Sequence, residues 1–184
     1  MDYINNFSND RFGYLEIKIK VTSLNIFLNK KILIYGLGKT GLSAFNFLKN
    51  KAETFVHDDD LSKSKNLRIK NIISYNNILK LNFDQIILSP GIDMNKCKLS
   101  KFLKKNQSKI YSDLDVFYSF YKNDCITITG TNGKSTTCQL LYEVLLNQKR
   151  DVRLVGNIGN PILSLKNFKK KNNLYCRSFI LSTG

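Results

Sequence analysis

The sequence predicts an α/β fold built on parallel sheets, and three observations carry that prediction. Short apolar, β-branched runs recur along the chain, and helix-spaced apolar residues follow several of them. The run Ile32-Leu33-Ile34-Tyr35 is continuously apolar, as a strand covered on both faces is. Two strand-to-helix junctions carry glycines and a lysine, at Gly36–Gly41 and at Gly130–Thr136. Alternating strands and helices place these junctions in a doubly wound arrangement. The prediction is a Rossmann-like parallel sheet domain followed by the start of a second α/β domain that opens on a P-loop-like phosphate cradle.

The elements follow in order. Residues 1–29 are irregular and polar at the start and read as an N-terminal extension. The first domain is assigned to residues 30–122. It opens with the strand at 32–35 and the glycine loop. A helix then carries Leu42, Phe45 and Leu48 at helical spacing, with Phe47 beside them. Thr54-Phe55-Val56 is a second strand, ending in His57-Asp58-Asp59-Asp60. Asp84–Leu88 is a third, closed by Ser89-Pro90-Gly91. A helix is expected at 98–105 and a short strand at 109–111. Asp113–Tyr121 carries Leu114, Phe117 and Tyr118 on one face, with Ser112 or Asp113 as N-cap. The second domain is assigned to residues 123–184. Its strand at 125–129 leads through a glycine loop into a helix near Lys134, with Leu140, Leu141, Val144 and Leu145 as the apolar stripe. Val152–Val155 is the next strand. The tail at 175–184 does not read as a continuing strand.

Composition narrows the function classes. The 184 residues hold 29 basic against 14 acidic side chains, a net charge of +15. Such a balance suits nucleic acid. The lysines are, however, dispersed among asparagines and isoleucines, as an A/T-rich coding sequence yields, so no nucleic-acid partner is expected. No run approaches the roughly 18 apolar residues of a membrane span. The start, Met1-Asp2-Tyr3-Ile4, lacks a charged-then-apolar signal pattern. Cys97, Cys125, Cys138 and Cys176 are far apart, and His57 is the sole histidine. A structural zinc site is disfavoured, and a reduced, cytoplasmic setting is the expectation.

The chemistry lies in the glycine junctions. In Ile128-Thr129-Gly130-Thr131-Asn132-Gly133-Lys134-Ser135-Thr136, loop N–H groups and the helix N-terminus point at an anion, Lys134 reaches outer phosphates, and Ser135 is placed to hold Mg²⁺. The generic phosphate-loop pattern would put its first glycine at Ile128, so Gly130 and Gly133 supply the flexibility. A turn that merely needs glycine has no use for Lys-Ser-Thr at the helix start. Gly36-x-Gly38-x-x-Gly41, with Asp58 at the end of the second strand, fits a dinucleotide fingerprint and by itself points to an NAD-linked oxidoreductase. A second phosphate loop downstream fits that poorly and implies two nucleotide-type ligands. Ser89-Pro90-Gly91-Ile92 alone is a type II turn, and Asp58-Asp59-Asp60 alone a cap and a solvated face.

The combination is more specific than its parts. Gly-Leu-Gly-Lys-Thr-Gly-Leu-Ser (36–43), Leu-Ser-Pro-Gly-Ile (88–92), Ser-Asp-Leu-Asp-Val-Phe (112–117), the phosphate loop and Gly-Asn-Ile-Gly-Asn-Pro (156–161) occur in this order. From about residue 30 to 174 the chain resembles the Mur ligase family, and within it the D-glutamate-adding branch. The phosphate loop alone would also admit folylpolyglutamate synthases. The resemblance implies three domains: one for the UDP part of the substrate, an ATPase, and one for the incoming amino acid. ATP and Mg²⁺ would be the cofactors, UDP-N-acetylmuramoyl-L-alanine and D-glutamate the substrates, and a monomer the state. It further implies that Gly38, Lys39 and Thr40, Asp58 or Asp59, Ser89 and Gly91 hold uridine and diphosphate. Gly130, Thr131, Asn132, Gly133, Lys134, Ser135 and Thr136 would hold ATP and, through Ser135, the metal. Lys134 and Asn157 would be catalytic, with Asn157 also binding substrate on the muramoyl side.

One departure stands out. The family's next strand ends in Glu-Leu-Ser-Ser-Phe-Gln, whose glutamate binds Mg²⁺, and no such motif is present. A back-translation of residues 175–184, TAT-TGT-AGA-AGT-TTC-ATC-CTT-TCA-ACT-GG, read one base later gives Ile-Val-Glu-Val-Ser-Ser-Phe-Gln-Leu. The codons were chosen, so the match shows only that a shift is available. Lys169-Lys170-Lys171-Asn172-Asn173 implies an adenine run where a frame slip arises. The expectation is a truncated chain, inactive in ligation alone, tested by reading the gene downstream of codon 168. An NAD-dependent oxidoreductase and a non-catalytic nucleotide-binding module are the competing expectations.

Overall fold

The computed structural model describes residues 25–60, 69, 71–121, 123–128, 132–156, 160–165 and 174–178. Four parallel strands form the first sheet: β1 (Lys31–Tyr35), β2 (Glu53–His57), β3 (Gln85–Leu88) and β4 (Ile110–Tyr111), in the order β2-β1-β3-β4. The helices between them are α1 (Lys39–Leu48), α2 (Tyr75–Lys80) and α3 (Ser100–Lys105), with α4 (Asp113–Phe120) after β4. Successive β1 side chains alternate between two core layers, as a strand requires. Ile32 and Ile34 pack with Ala44, Leu48 and Phe117, while Leu33 and Tyr35 pack with Ile78, Phe83, Leu99 and Leu103. Each fully buried apolar side chain contributes roughly 1.5–3 kcal/mol. With both faces of β1 covered, its apolar run is explained.

Strand order reverses at β1. The chain leaves β1 for β2 on one side, then crosses to β3 on the other. That reversal opens a crevice at the carboxyl ends of β1 and β3, where doubly wound sheets take ligands.

Local signals fix several boundaries. Ser112 caps α4 in a capping box: its hydroxyl accepts from Asp115 N at 3.3 Å, and Asp115 Oδ2 accepts from Ser112 N at 2.7 Å. Residues 25–29, placed by pattern in an irregular extension, instead close the core. Phe27 is fully buried against Tyr111, and Gln85 Nε2 donates to the Ile26 carbonyl at 2.7 Å. Helix α2 was not evident from periodicity, because its six residues bury only Ile78.

The second sheet is also parallel: β5 (Cys125–Ile128), β6 (Val152–Gly156) and β7 (Leu174–Ser178), in the order β5-β7-β6. This corrects the reading of the tail. Residues 174–178 are a strand, and the central one, because β5 and β6 each need a parallel partner and find it there. Helix α5 (Lys134–Asn147) covers this sheet. Its working face is Cys138, Leu141 and Leu145, packed with Val152 and Ile126. Leu140 and Val144, expected in the same stripe, are 57% and 52% exposed. Among the described residues no helix is long and apolar enough to cross a membrane, and no cluster of His, Cys, Asp or Glu is arranged to hold a metal.

Candidate nucleotide-binding site

An open pocket of about 210 Å³ lies at the strand-order reversal. The loop after β1 supplies Gly36, Gly38, Lys39 and Thr40, the end of β2 supplies Asp58, and the loop after β3 supplies Ser89 to Ile92. Gly36, Pro90 and Ile92 were not among the expected ligand residues, although they belong to the same two motifs. The amino end of α1 borders the pocket with no side-chain cap and no acidic residue in its first turn. Its unpaired N–H groups, the positive end of the helix dipole and Lys39 together favour an anion.

The glycines divide by purpose. Gly36 has φ +98°, and a Cβ there would stand 2.7 Å from Ser89 Cβ. A Cβ on Gly41 would stand 1.8 Å from the Gly36 carbonyl oxygen. Both are required by the protein's own packing. Gly38, at φ −67°, and Gly91 would meet nothing within 4 Å. Internal packing gives no reason for glycine at either position, and both border the pocket. Their bareness leaves room for a ligand to approach the backbone. Ser89 locks the loop, donating from Oγ to the Gly36 carbonyl at 2.8 Å.

Asp58 and Asp59, equivalent in sequence, separate in space. Asp58 is buried in the pocket wall and accepts from Leu37 N at 2.6 Å and from Asp60 N at 2.9 Å, clamping the glycine loop to β2. Asp59, also expected among the substrate-binding residues, is not among the residues that line the pocket. Its Oδ2 accepts from Lys98 N at 3.1 Å, and Oδ1 lies 3.6 Å from His57 Nε2. Adjacent residues leaving a strand project to opposite sides, so only one can face the crevice.

Beneath the pocket, burial raises the ionisation of the Tyr35 phenol well above its usual 10.0, and Asp59 and Cys97 push it the same way. A raised folded-state value contributes stability below the unfolded pKa and loses it as pH rises beyond about 10. Tyr35→Phe is therefore expected to flatten the loss of stability above pH about 10. A residual slope should come from Tyr121, which burial shifts in the same direction. Urea midpoints from pH 8 to 11 check this, and an unchanged alkaline slope in the variant contradicts it.

At the second junction Gly133 adopts φ +74° immediately ahead of α5, a conformation that favours glycine. Helix α5 also starts without a side-chain cap or an acidic first turn. Asn132, Ser135 and Thr136 are exposed there, and Lys134 is half-buried. Thr137 Oγ1 donates to the Gly133 carbonyl at 2.9 Å. Gly130, Thr131 and Asn157 lie outside the described residues.

Comparison with known proteins agrees with this geometry. Residues 30–110 match the model of the Mur ligase MurD-like N-terminal domain. The chain is similar to the UDP-N-acetylmuramoylalanine–D-glutamate ligase of Rickettsia felis, at 36% identity over 165 residues, which cover 86% of this chain and 36% of that one. It is 38% identical over 150 residues to the enzyme of the same name from Rickettsia prowazekii, covering 78% of this chain and 33% of that one. For the one from Buchnera aphidicola subsp. Baizongia pistaciae the identity is 36% over 151 residues, 77% and 34% of the two chains. The chain thus spans about a third of the length of these curated relatives. A glycine-loop pocket at the strand reversal, a family model matching residues 30–110, and relatives that extend the likeness into the second sheet agree: residues 30–110 are a MurD-like N-terminal domain of the Mur ligase family.

Proposed function

We propose that this chain carries the UDP-substrate-binding domain, and the opening of the ATPase domain, of a ligase that joins D-glutamate to UDP-N-acetylmuramoyl-L-alanine in peptidoglycan precursor synthesis. The observation that carries the reading is the pocket in which Gly38 and Gly91 stand bare beside the uncapped start of α1. There the α1 N–H groups and Lys39 hold the diphosphate, and Asp58 keeps the loop in shape. At the second junction, Gly133 and the uncapped start of α5 fit a triphosphate, with Lys134 beside the phosphoryl group that moves. Ser135 offers an exposed hydroxyl for Mg²⁺. ATP supplies the phosphoryl group that activates the substrate carboxylate for attack by the amine. The reaction places the chain in the cytoplasm, and a monomer suffices for it.

Calorimetry on the 184-residue chain tests this. UDP-N-acetylmuramoyl-L-alanine, and UDP more weakly, are expected to give saturable binding while NADH gives none. Binding of NADH without any response to the UDP ligands overturns the reading in favour of a dinucleotide-dependent oxidoreductase.

A further inference from the structure

Val155, Ile162, Leu163 and Leu165 of the second unit are built into the core of the first. Gly156 N donates to the Asn160 carbonyl at 3.1 Å, pinning the segment that starts at Asn160 to the end of β6. Pro161 then opens a single 3₁₀ turn, Ile162–Ser164, closed when Ser164 N and Oγ both donate to the Pro161 carbonyl, at 2.9 and 2.7 Å. This short, locally satisfied turn presents Ile162, 0% exposed, and Leu163, 5% exposed. They belong to the core cluster of Ala44 and Leu48 on α1 and Val116 and Phe117 on α4, which also includes Val155 of β6. Helix α1 therefore has two attachments. Lys39 and Thr40 in its first turn line the pocket, and Ala44 and Leu48 lie against the plug.

We propose that Ile162 and Leu163 are positioning residues: a plug that holds the second sheet on the ligand-binding domain and carries ligand occupancy from the pocket through α1 to β6. The transmission rests on the nucleotide-binding reading above, whereas the plug does not. A ligand that orders the start of α1 orders the surface on which the plug sits. The plug is joined to β6 by the Gly156–Asn160 backbone hydrogen bond and by Val155, which shares its core cluster. A turn serving only as filler for the first core would leave the second sheet free to move independently.

Backbone amide exchange and ¹⁵N relaxation on the 184-residue chain decide the matter. In the wild type, both sheets should share one tumbling time, and two separate times overturn the plug. Ile162→Ser with Leu163→Ser should speed exchange in Val152–Gly156 by about tenfold or more while Lys31–Tyr35 and Gln85–Leu88 stay protected. Unchanged exchange in β6 overturns the plug, and Ile162→Val should restore wild-type exchange. If the double variant fails to fold, the wild-type relaxation result still decides. Added UDP should slow exchange in α1 and in β6 of the wild type, but only in α1 of the double variant. Protection of wild-type α1 without β6 overturns the transmission. No protection of α1 refutes the pocket reading and the transmission with it, leaving the plug to the first two measurements.

Discussion

Replacing Gly41 with alanine is expected to cost the first domain a substantial part of its stability. The new Cβ would overlap the Gly36 carbonyl oxygen at 1.8 Å and crowd Ser89 Oγ at 2.8 Å. The helix would have to retreat from a loop that Asp58 and Ser89 hold in place. Alanine in a helix gains about 1 kcal/mol over glycine, but overpacking of this severity costs about 3 kcal/mol or more, against a total of about 5–15. A urea titration should show the loss, and a midpoint equal to or above wild type would contradict it. Gly38→Ala is the informative partner. With nothing within 4 Å and φ −67°, it should leave the midpoint unchanged to within about 0.5 kcal/mol. Its UDP-ligand affinity should nevertheless fall by about tenfold, roughly 1.4 kcal/mol. Equal affinity would mean that the bare space at Gly38 is not where the diphosphate sits.

Lys134→Ala is expected to abolish measurable ATP binding by this chain while leaving affinity for the UDP ligand within about twofold. A charged contact to phosphate is among the stronger hydrogen bonds, about 1.5–3 kcal/mol, and the α5 N-terminus alone replaces only part of it. The UDP ligand is spared because, among the described residues, its pocket draws none from the second sheet. Calorimetry with each ligand separates the outcomes. Undiminished ATP binding would remove Lys134 from the phosphate site.

Much of this arrangement is legible in the sequence wherever the physics is local. Strands β1 to β6 coincide with apolar runs, and Ser112 with Asp115 announces the start of α4. The glycine loops are marked by residues that ordinary turns do not need. What escaped depends on distant partners. Strand β7, Leu-Tyr-Cys-Arg-Ser, has no apolar run and is a strand because two others flank it. Asp58 and Asp59 differ only through the groups that meet them, Leu37 N and Lys98 N. Ile162 and Leu163 look like ordinary loop residues until α1 and α4, far upstream, are set against them.

The position of β7 has a consequence for how the chain is made. Among the described residues, strands β5 and β6 each pair with β7 and not with each other, so their pairing waits until β7 leaves the ribosome. The first sheet has no such wait, because all its strands precede residue 112. Synthesis therefore produces a finished domain carrying two unpaired strands, whose open edges invite pairing with other chains. The turn at Ile162–Ser164 is translated before β7. By seating itself on the finished domain, it holds β6 near its final place during that interval and shortens the search that β7 must complete.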